Sequence, residues 1–265
     1  MTSLNYAVAD SATMLRRNLR HMQRYPTLTA MVLGIPVVFL LIFVYVFGGT
    51  LGTGLGHATD GRAAYISFVT PGILLLTIAA AAQGTAVTVA MDMTTGIIAR
   101  FRTMSIARVS VLTGHVLGSM IQSLLGVGAI IGLAFAIGFR SGASPFAWLA
   151  VIGLLALTAL ALTWLTVALG LAAKSVETAS NTPMFLMLLP FLGSGFVPTS
   201  SLPAGLRWFA EYQPFTPVTT AVRGLLLGGA VGDNAVIAIA WGAGVSLGAY
   251  LWARHVYNTR PLPVR

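Results

Sequence analysis

AAYISFVTPGILLLTIAAAAQGTAVTVAM, Ala63 to Met91, runs for 29 residues without one charged side chain. A bilayer core about 30 Å thick is crossed by roughly 20 helical residues, so this stretch is long enough to span. Further uncharged runs cover 25–59, 109–139, 141–173, 178–206 and 234–253. Charged residues make up 8% of the chain, hydrophobic residues 57%, and the mean hydropathy is +0.87. An average soluble domain is about 25% charged, so this chain cannot cover a globule with solvated side chains and its solvent is lipid. Closed barrels are the other spanning solution, but they show short alternating strands rather than long apolar runs. The sequence therefore predicts an all-α integral membrane protein. Its single domain, 1–265, has six spans at about 28–48, 65–90, 111–138, 146–173, 182–199 and 234–253.

Orientation follows from the basic residues. With six spans, both termini share a side with the segments around 91–110 and 173–181. That side holds eleven of the fifteen Lys and Arg residues, against four (Arg62, Arg140, Arg207 and Arg223) on the other. By the positive-inside rule the richer side is cytoplasmic. The net charge of +9 is thereby accounted for by topology, and a nucleic-acid partner is not expected. Fourteen Arg against one Lys, with abundant Ala and Gly, reads as a bacterial protein of the cell membrane. No cysteine is present, which removes disulfides and thiolate metal sites. The first apolar run starts near residue 28 and has full span length, unlike a cleaved leader.

Residues 4–24 predict an amphipathic helix. Leu4, Val8, Ala12, Leu15, Leu19 and Met22 form one stripe, with Arg17, Arg20, His21 and Arg24 opposite. Such a helix lies in the headgroup region, and here Arg17 and Arg20 are expected to meet a cytoplasmic partner as well. In the spans, Gly114, Gly118, Gly128 and Gly132, and then Gly244 and Gly248, stand four apart and predict helix-packing seams. Two nucleotide-site mimics fail. In the loop from Gly48 to Arg62, His57 stands where a dinucleotide fingerprint needs its third glycine. Gly170–Ser175 lacks the glycine before Lys174.

The charged island follows the opening stretch: Asp92, Arg100, Arg102 and Arg108 interrupt the apolar chain. From about Thr95 to Arg108 the pattern is helical. Ile97, Phe101 and Met104 make an apolar face, Ile98 flanks it, and Arg100 and Arg102 border it on two sides. Asp92 and Thr94 or Thr95 are expected to cap this helix. Apolar knobs rimmed by arginines suit insertion into a groove on a partner.

Near the other membrane face, residues 200–228 predict two helices too short to span. Pro203 opens the first, carrying Trp208, Phe209 and Tyr212; Thr216-Pro217 caps the second, and Gly228-Gly229 stops it. Their aromatics suit the membrane interface. They are expected to form a re-entrant hairpin, with Phe196, Trp208, Phe209 and Phe215 as an outer gate.

The spans hold no Asp, Glu, Lys or Arg well inside them. Intramembrane catalysis and ion coupling need such groups at depth. His115, Gln83 and Gln122 are expected to make helix–helix hydrogen bonds. No HExxH motif or carboxylate cluster is present, so the chain is not read as an enzyme and no metal site is expected. Energy for uphill transport must then arrive from another subunit.

The island pattern D-x-x-x-G-I-I-x-R-F-R-x-M-x-I-x-R, Asp92 to Arg108, and the stretch F-V-P…L-P…L-R-W-F-A…P-F-T-P-V…A-V-R-G-L-L, Phe196 to Leu226, resemble the permease subunits of type-2 ABC exporters. The likeness is to the daunorubicin-resistance-type branch, with Ser105 where that family often has proline. The resemblance implies an ATP-driven exporter of a hydrophobic or amphipathic small molecule such as a drug, antibiotic or lipid, working by alternating access. It implies two copies of a separate ATP-binding subunit docked on the 92–108 coupling helix and the N-terminal helix. ATP and Mg are held there rather than on this chain. It also implies a second permease copy or paralogue, with the 196–228 region as the outer gate. The alternatives are an ion-coupled secondary transporter and a non-transporting membrane scaffold.

Overall fold

The computed structural model describes residues 13, 15, 16, 20, 26–54, 61–96 and 108–259, with side chains from Leu33 and Leu112 onward in the helices that open at 26 and 108. All regular structure among these residues is helical. In chain order the helices are α1 (Pro26–Leu41), a π-helical stretch (Ile42–Phe47), α2 (Gly48–Gly54), α3 (Gly61–Thr94), α4 (Arg108–Ala136), α5 (Pro145–Ala172), α6 (Val176–Asn181) and α7 (Met184–Leu188). A 3₁₀ turn (Thr199–Ser201) precedes α8 (Ala204–Tyr212), α9 (Phe215–Leu227) and α10 (Asn234–Thr259). The first span thus runs on through α2 to Gly54, where a loop was expected.

Five helices among the described residues are long and apolar enough to cross a membrane: Leu33–Gly54, Gly61–Thr94, Leu112–Ala136, Pro145–Ala172 and Asn234–Thr259. The segment read as the fifth of six spans, 182–199, is not one helix. It winds through α7 and a series of turns, with Pro183 before α7 and Pro190 after it. Each proline lacks the N–H that an α-helix needs and crowds the preceding turn, so two of them seven apart leave only a five-residue helix between.

The long uncharged stretch forms most of α3, which sits at the centre of the bundle and packs against α1, α4, α5, α6 and α9. Its small residues let neighbours approach: a Cβ on Gly72 would lie 2.6 Å from the Gly195 carbonyl oxygen. At the start of α5, Ser144 accepts a hydrogen bond from the Ala147 N–H, and Pro145 takes the first helical position.

Two apolar cores result. The larger joins α1, α3, α4, α5 and α9 with Leu186 and Phe196 of the broken segment. The smaller gathers Val89, Met93, Leu112, Val116, Trp164 and Tyr257 near the end of the bundle that bears residues 94–108. We call that the basic end and the opposite one the distal end.

The expected glycine seams divide. Gly114 and Gly118 are buried in α4, whereas Gly128, Gly132, Gly244 and Gly248 are exposed, with no heavy atom of the described residues within 4 Å of where a Cβ would stand. Close backbone approaches also lie at Gly72, against Gly195, and at Gly170, against Ala86.

Candidate functional site

At the basic end α3 continues to Thr94, and Gly96, at φ +76, turns the chain away in a conformation that glycine adopts without strain. The Thr94 and Thr95 hydroxyls donate back to the Met91 carbonyl at 3.1 and 2.7 Å. Asp92 lies inside the last turn of α3 and is buried, and its Oδ2 is 3.2 Å from Nε2 of buried His115, two turns into α4. The pair ties the exit of α3 to the entry of α4 and so fixes both ends of the segment between them. His115 thus makes the helix–helix contact expected of it. Gln83 does so too, its Nε2 donating to the Ser180 carbonyl at 2.9 Å. Ile97, Ile98, Arg100, Phe101, Arg102, Met104 and Arg17 lie outside the described residues. Arg108 opens α4, its side chain beyond the description, and Arg20 is helical and exposed. The helix expected over 4–24 is described at only four positions, 13, 15, 16 and 20.

At the distal end α8 and α9 form a hairpin. At about 1.5 Å per residue, nine and thirteen residues reach about 14 and 20 Å, so neither crosses a bilayer. The tip, Gln213-Pro214-Phe215, reaches inward to Leu162 and Leu165 of α5, while Leu226 at the other end of α9 accepts a 2.7 Å hydrogen bond from Ser141 of the distal loop. α9 begins at Phe215, one residue before the expected cap. The Thr216 hydroxyl instead donates to the Ala210 carbonyl at 2.5 Å, closing the hairpin.

The broken segment leaves backbone groups without helical partners, and the hairpin supplies them. Gln213 Nε2 donates to the Leu189 carbonyl at 3.2 Å, and its Oε1 accepts from the Phe215 N–H at 3.1 Å. The Ser194 N–H donates to Thr216 Oγ1 at 3.1 Å, and the hydroxyls of Ser194 and Thr220 are 3.3 Å apart. From α3 the Tyr65 hydroxyl donates to the Phe196 carbonyl at 3.2 Å. Arg223 of α9 donates to the Phe68 carbonyl through Nε (3.2 Å) and Nη2 (3.0 Å), and to the Ser194 carbonyl through Nη2 (2.6 Å). Its guanidinium carbon lies 3.9 Å over the Phe68 ring. Irregular backbone at membrane depth persists only where protein satisfies it.

The four expected gate aromatics divide. Phe196 is buried, stacked on Phe191 at 4.3 Å and against Phe43 at 4.7 Å. Phe215 is buried at the hairpin tip, whereas Trp208 (67% exposed) and Phe209 stand on the open face of α8. Two are thus core side chains and two are surface ones. Sequence reasoning did not bring Gln213, Thr216, Ser194, Tyr65 and Arg223 together: Thr216 was expected only as a helix cap and Arg223 only as a charge on the outer side. The available signal was polar groups beside proline breaks and one arginine inside the apolar run AVRGLLL.

Between α5, α7, the tip and α10 lies a shallow, open apolar groove lined by Leu162, Leu165, Leu189, Phe215, Trp241 and Val245, among others. The arrangement offers an apolar surface, a jointed segment and a hairpin bolted to it.

A family model described as "ABC-2 type transporter" matches residues 11–227. The chain is also similar to a daunorubicin resistance ABC transporter permease protein of Streptomyces coeruleorubidus: 25% identical over 223 residues, covering 84% of this chain and 76% of that one. A probable doxorubicin resistance ABC transporter permease protein of Mycobacterium tuberculosis is 26% identical over 217 residues, 80% of this chain and 74% of its own length.

Proposed function

Because the chain belongs to the ABC-2 type transporter family, we propose that it is the membrane subunit of an ATP-driven exporter for hydrophobic or amphipathic small molecules, drugs among them. The observation that carries this reading is the family match, which runs from before the first span through the last helix of the distal hairpin. The two relatives, named for daunorubicin and doxorubicin resistance, support the substrate class. The apolar groove at the hairpin tip suits such a molecule.

In this reading the basic end is cytoplasmic, both termini lie there, and the chain crosses six times, with the broken segment of 176–199 as the fifth crossing. ATP and Mg are held by two copies of a separate ATP-binding subunit. These seat on residues 97–108 through Ile97, Ile98, Phe101 and Met104, with Arg100, Arg102 and Arg108 at the rim and Arg17 and Arg20 alongside. Asp92 acts from within, through His115. Two permease copies, or one and a paralogue, rock between inward- and outward-facing states, and the distal hairpin gates the outer exit.

Charge reversal at Arg100→Glu and Arg102→Glu together is expected to release the ATP-binding subunit while leaving membrane insertion intact. Co-purification and stimulated ATPase activity equal to wild type would sink the docking claim. For the gate, Trp208→Cys exposes a thiol on the open face of α8. In the assembled transporter, bis-maleimide crosslinking of two such chains is expected to change when nucleotide is trapped, and an unchanged yield argues against a moving gate.

A further inference from the structure

The hydrogen bonds of the distal end fall into two groups. Those among Gln213, Thr216, Thr220, Leu189, Ser194 and Ala210 join the hairpin to residues 189–196, and each polar side chain at the tip is committed to partners inside this unit. A network satisfied in this way specifies one arrangement and holds it rigidly. The hairpin and the broken segment therefore form one body.

Across the plane from that body to α3 the polar links are few: Tyr65 to the Phe196 carbonyl, and Arg223 to the Phe68 carbonyl. The remainder of the contact at that plane includes backbone against backbone, Gly72 on Gly195, with no side chain interlocked there. Among the described residues Arg223 is the one group that bonds to both sides, because its Nη2 donates to Phe68 and to Ser194. Among the described ion pairs it has no carboxylate; its charge is met by carbonyl oxygens and the Phe68 ring. Such links are directional but individually modest, and a long side chain near a membrane face can carry its head to water when they part. Lysine has the charge without the fork that reaches two carbonyls at once.

We propose that Arg223 is a positioning residue that latches the hairpin body to α3 and lets go when the distal end opens. This rests on the exporter reading above and adds to it the plane along which the exit parts.

The test uses the complete transporter, this chain with its ATP-binding partner, in inverted membrane vesicles. Because the chain has no cysteine, Phe68→Cys with Ser194→Cys places one thiol pair across the plane, at the two residues whose carbonyls Arg223 bridges, and leaves Arg223 in place. Disulfide formation is expected to be fast without nucleotide and markedly slower after trapping with ATP and vanadate. Equal rates in the two states overturn the latch. In parallel, Arg223→Lys is expected to keep co-purification and ATPase activity while doxorubicin uptake into the vesicles falls by about tenfold, as the loss of roughly one charge-assisted hydrogen bond would give. Uptake at the wild-type level in that variant also overturns it. A misfolded Lys variant would lose ATPase and uptake together, and the thiol pair then decides. Wild-type transporter that takes up no drug with ATP counts against the exporter reading. Normal wild-type uptake with equal disulfide rates counts against the latch alone.

Discussion

Gly72→Ala is expected to leave little folded protein in the membrane, while Gly132→Ala accumulates and melts as wild type does. A Cβ on Gly72 meets the Gly195 oxygen at 2.6 Å and the Gly195 carbonyl carbon and Cα at 2.8 Å. These are backbone atoms, with no rotamer to turn away, so α3 and the broken segment must separate by several tenths of an ångström. Overpacking of this kind costs about 1–3 kcal/mol by itself. Here the same shift also lengthens the Tyr65 and Arg223 bonds across that plane, adding about 1 kcal/mol for each one lost. At Gly132 a Cβ meets nothing within 4 Å, and exchanging a helical glycine for alanine favours the helix by roughly 0.5–1 kcal/mol. The thermal unfolding of the two detergent-purified variants, followed by size exclusion, makes the comparison. A Gly72→Ala protein as stable as wild type would mean that α3 and the broken segment do not touch there. A Gly132→Ala protein that folds but loses its oligomer would identify that outward stripe as an intersubunit contact.

Removing the Asp92 carboxylate is expected to destabilise the basic end. Asp92 and His115 are both about 5% exposed, so either one left alone has little water to turn to. An unsatisfied buried polar group costs about 1–3 kcal/mol, and more when charged. Asp92→Leu should therefore lower the melting temperature by several degrees. Asp92→Leu with His115→Leu should recover part of the loss, since an apolar pair of similar size leaves nothing unpaired. A double variant no more stable than the single one would show that the two side chains do not depend on each other.

The long helices were legible because their signal is simple. An uncharged run of 29 residues has one stable form in lipid, and α3 takes it. The broken segment was not, because hydropathy averages over residues and proline acts at one. Residues 182–199 are as apolar as a span, yet Pro183 and Pro190 decide their path. The short helices α8 and α9 were legible from their prolines and glycines, within two residues of their observed starts. What holds them was not: the partners of Gln213 and Arg223 are carbonyls 24, 29 and 155 residues away, and carbonyls carry no sequence identity. For the same reason Phe196 and Trp208 looked alike in the sequence, though one is core and the other surface. Asp92 drew attention as the first charge after a long apolar run; that its neighbour in space is His115, 23 residues on, is not written in the sequence.

α3 carries the Phe68 carbonyl near one end and Asp92 near the other, on one continuous helix. At about 1.5 Å per residue these two points lie about 36 Å apart. A tilt of about 5° pivoting at Asp92 would swing the Phe68 carbonyl by about 3 Å, enough to take an N–H···O contact from its optimum of about 2.9 Å to no bond at all. The helix therefore works as a lever of high mechanical advantage in distance. An angular change too small to disturb the packing at its fulcrum is amplified, at its far tip, into the difference between a made and a broken contact.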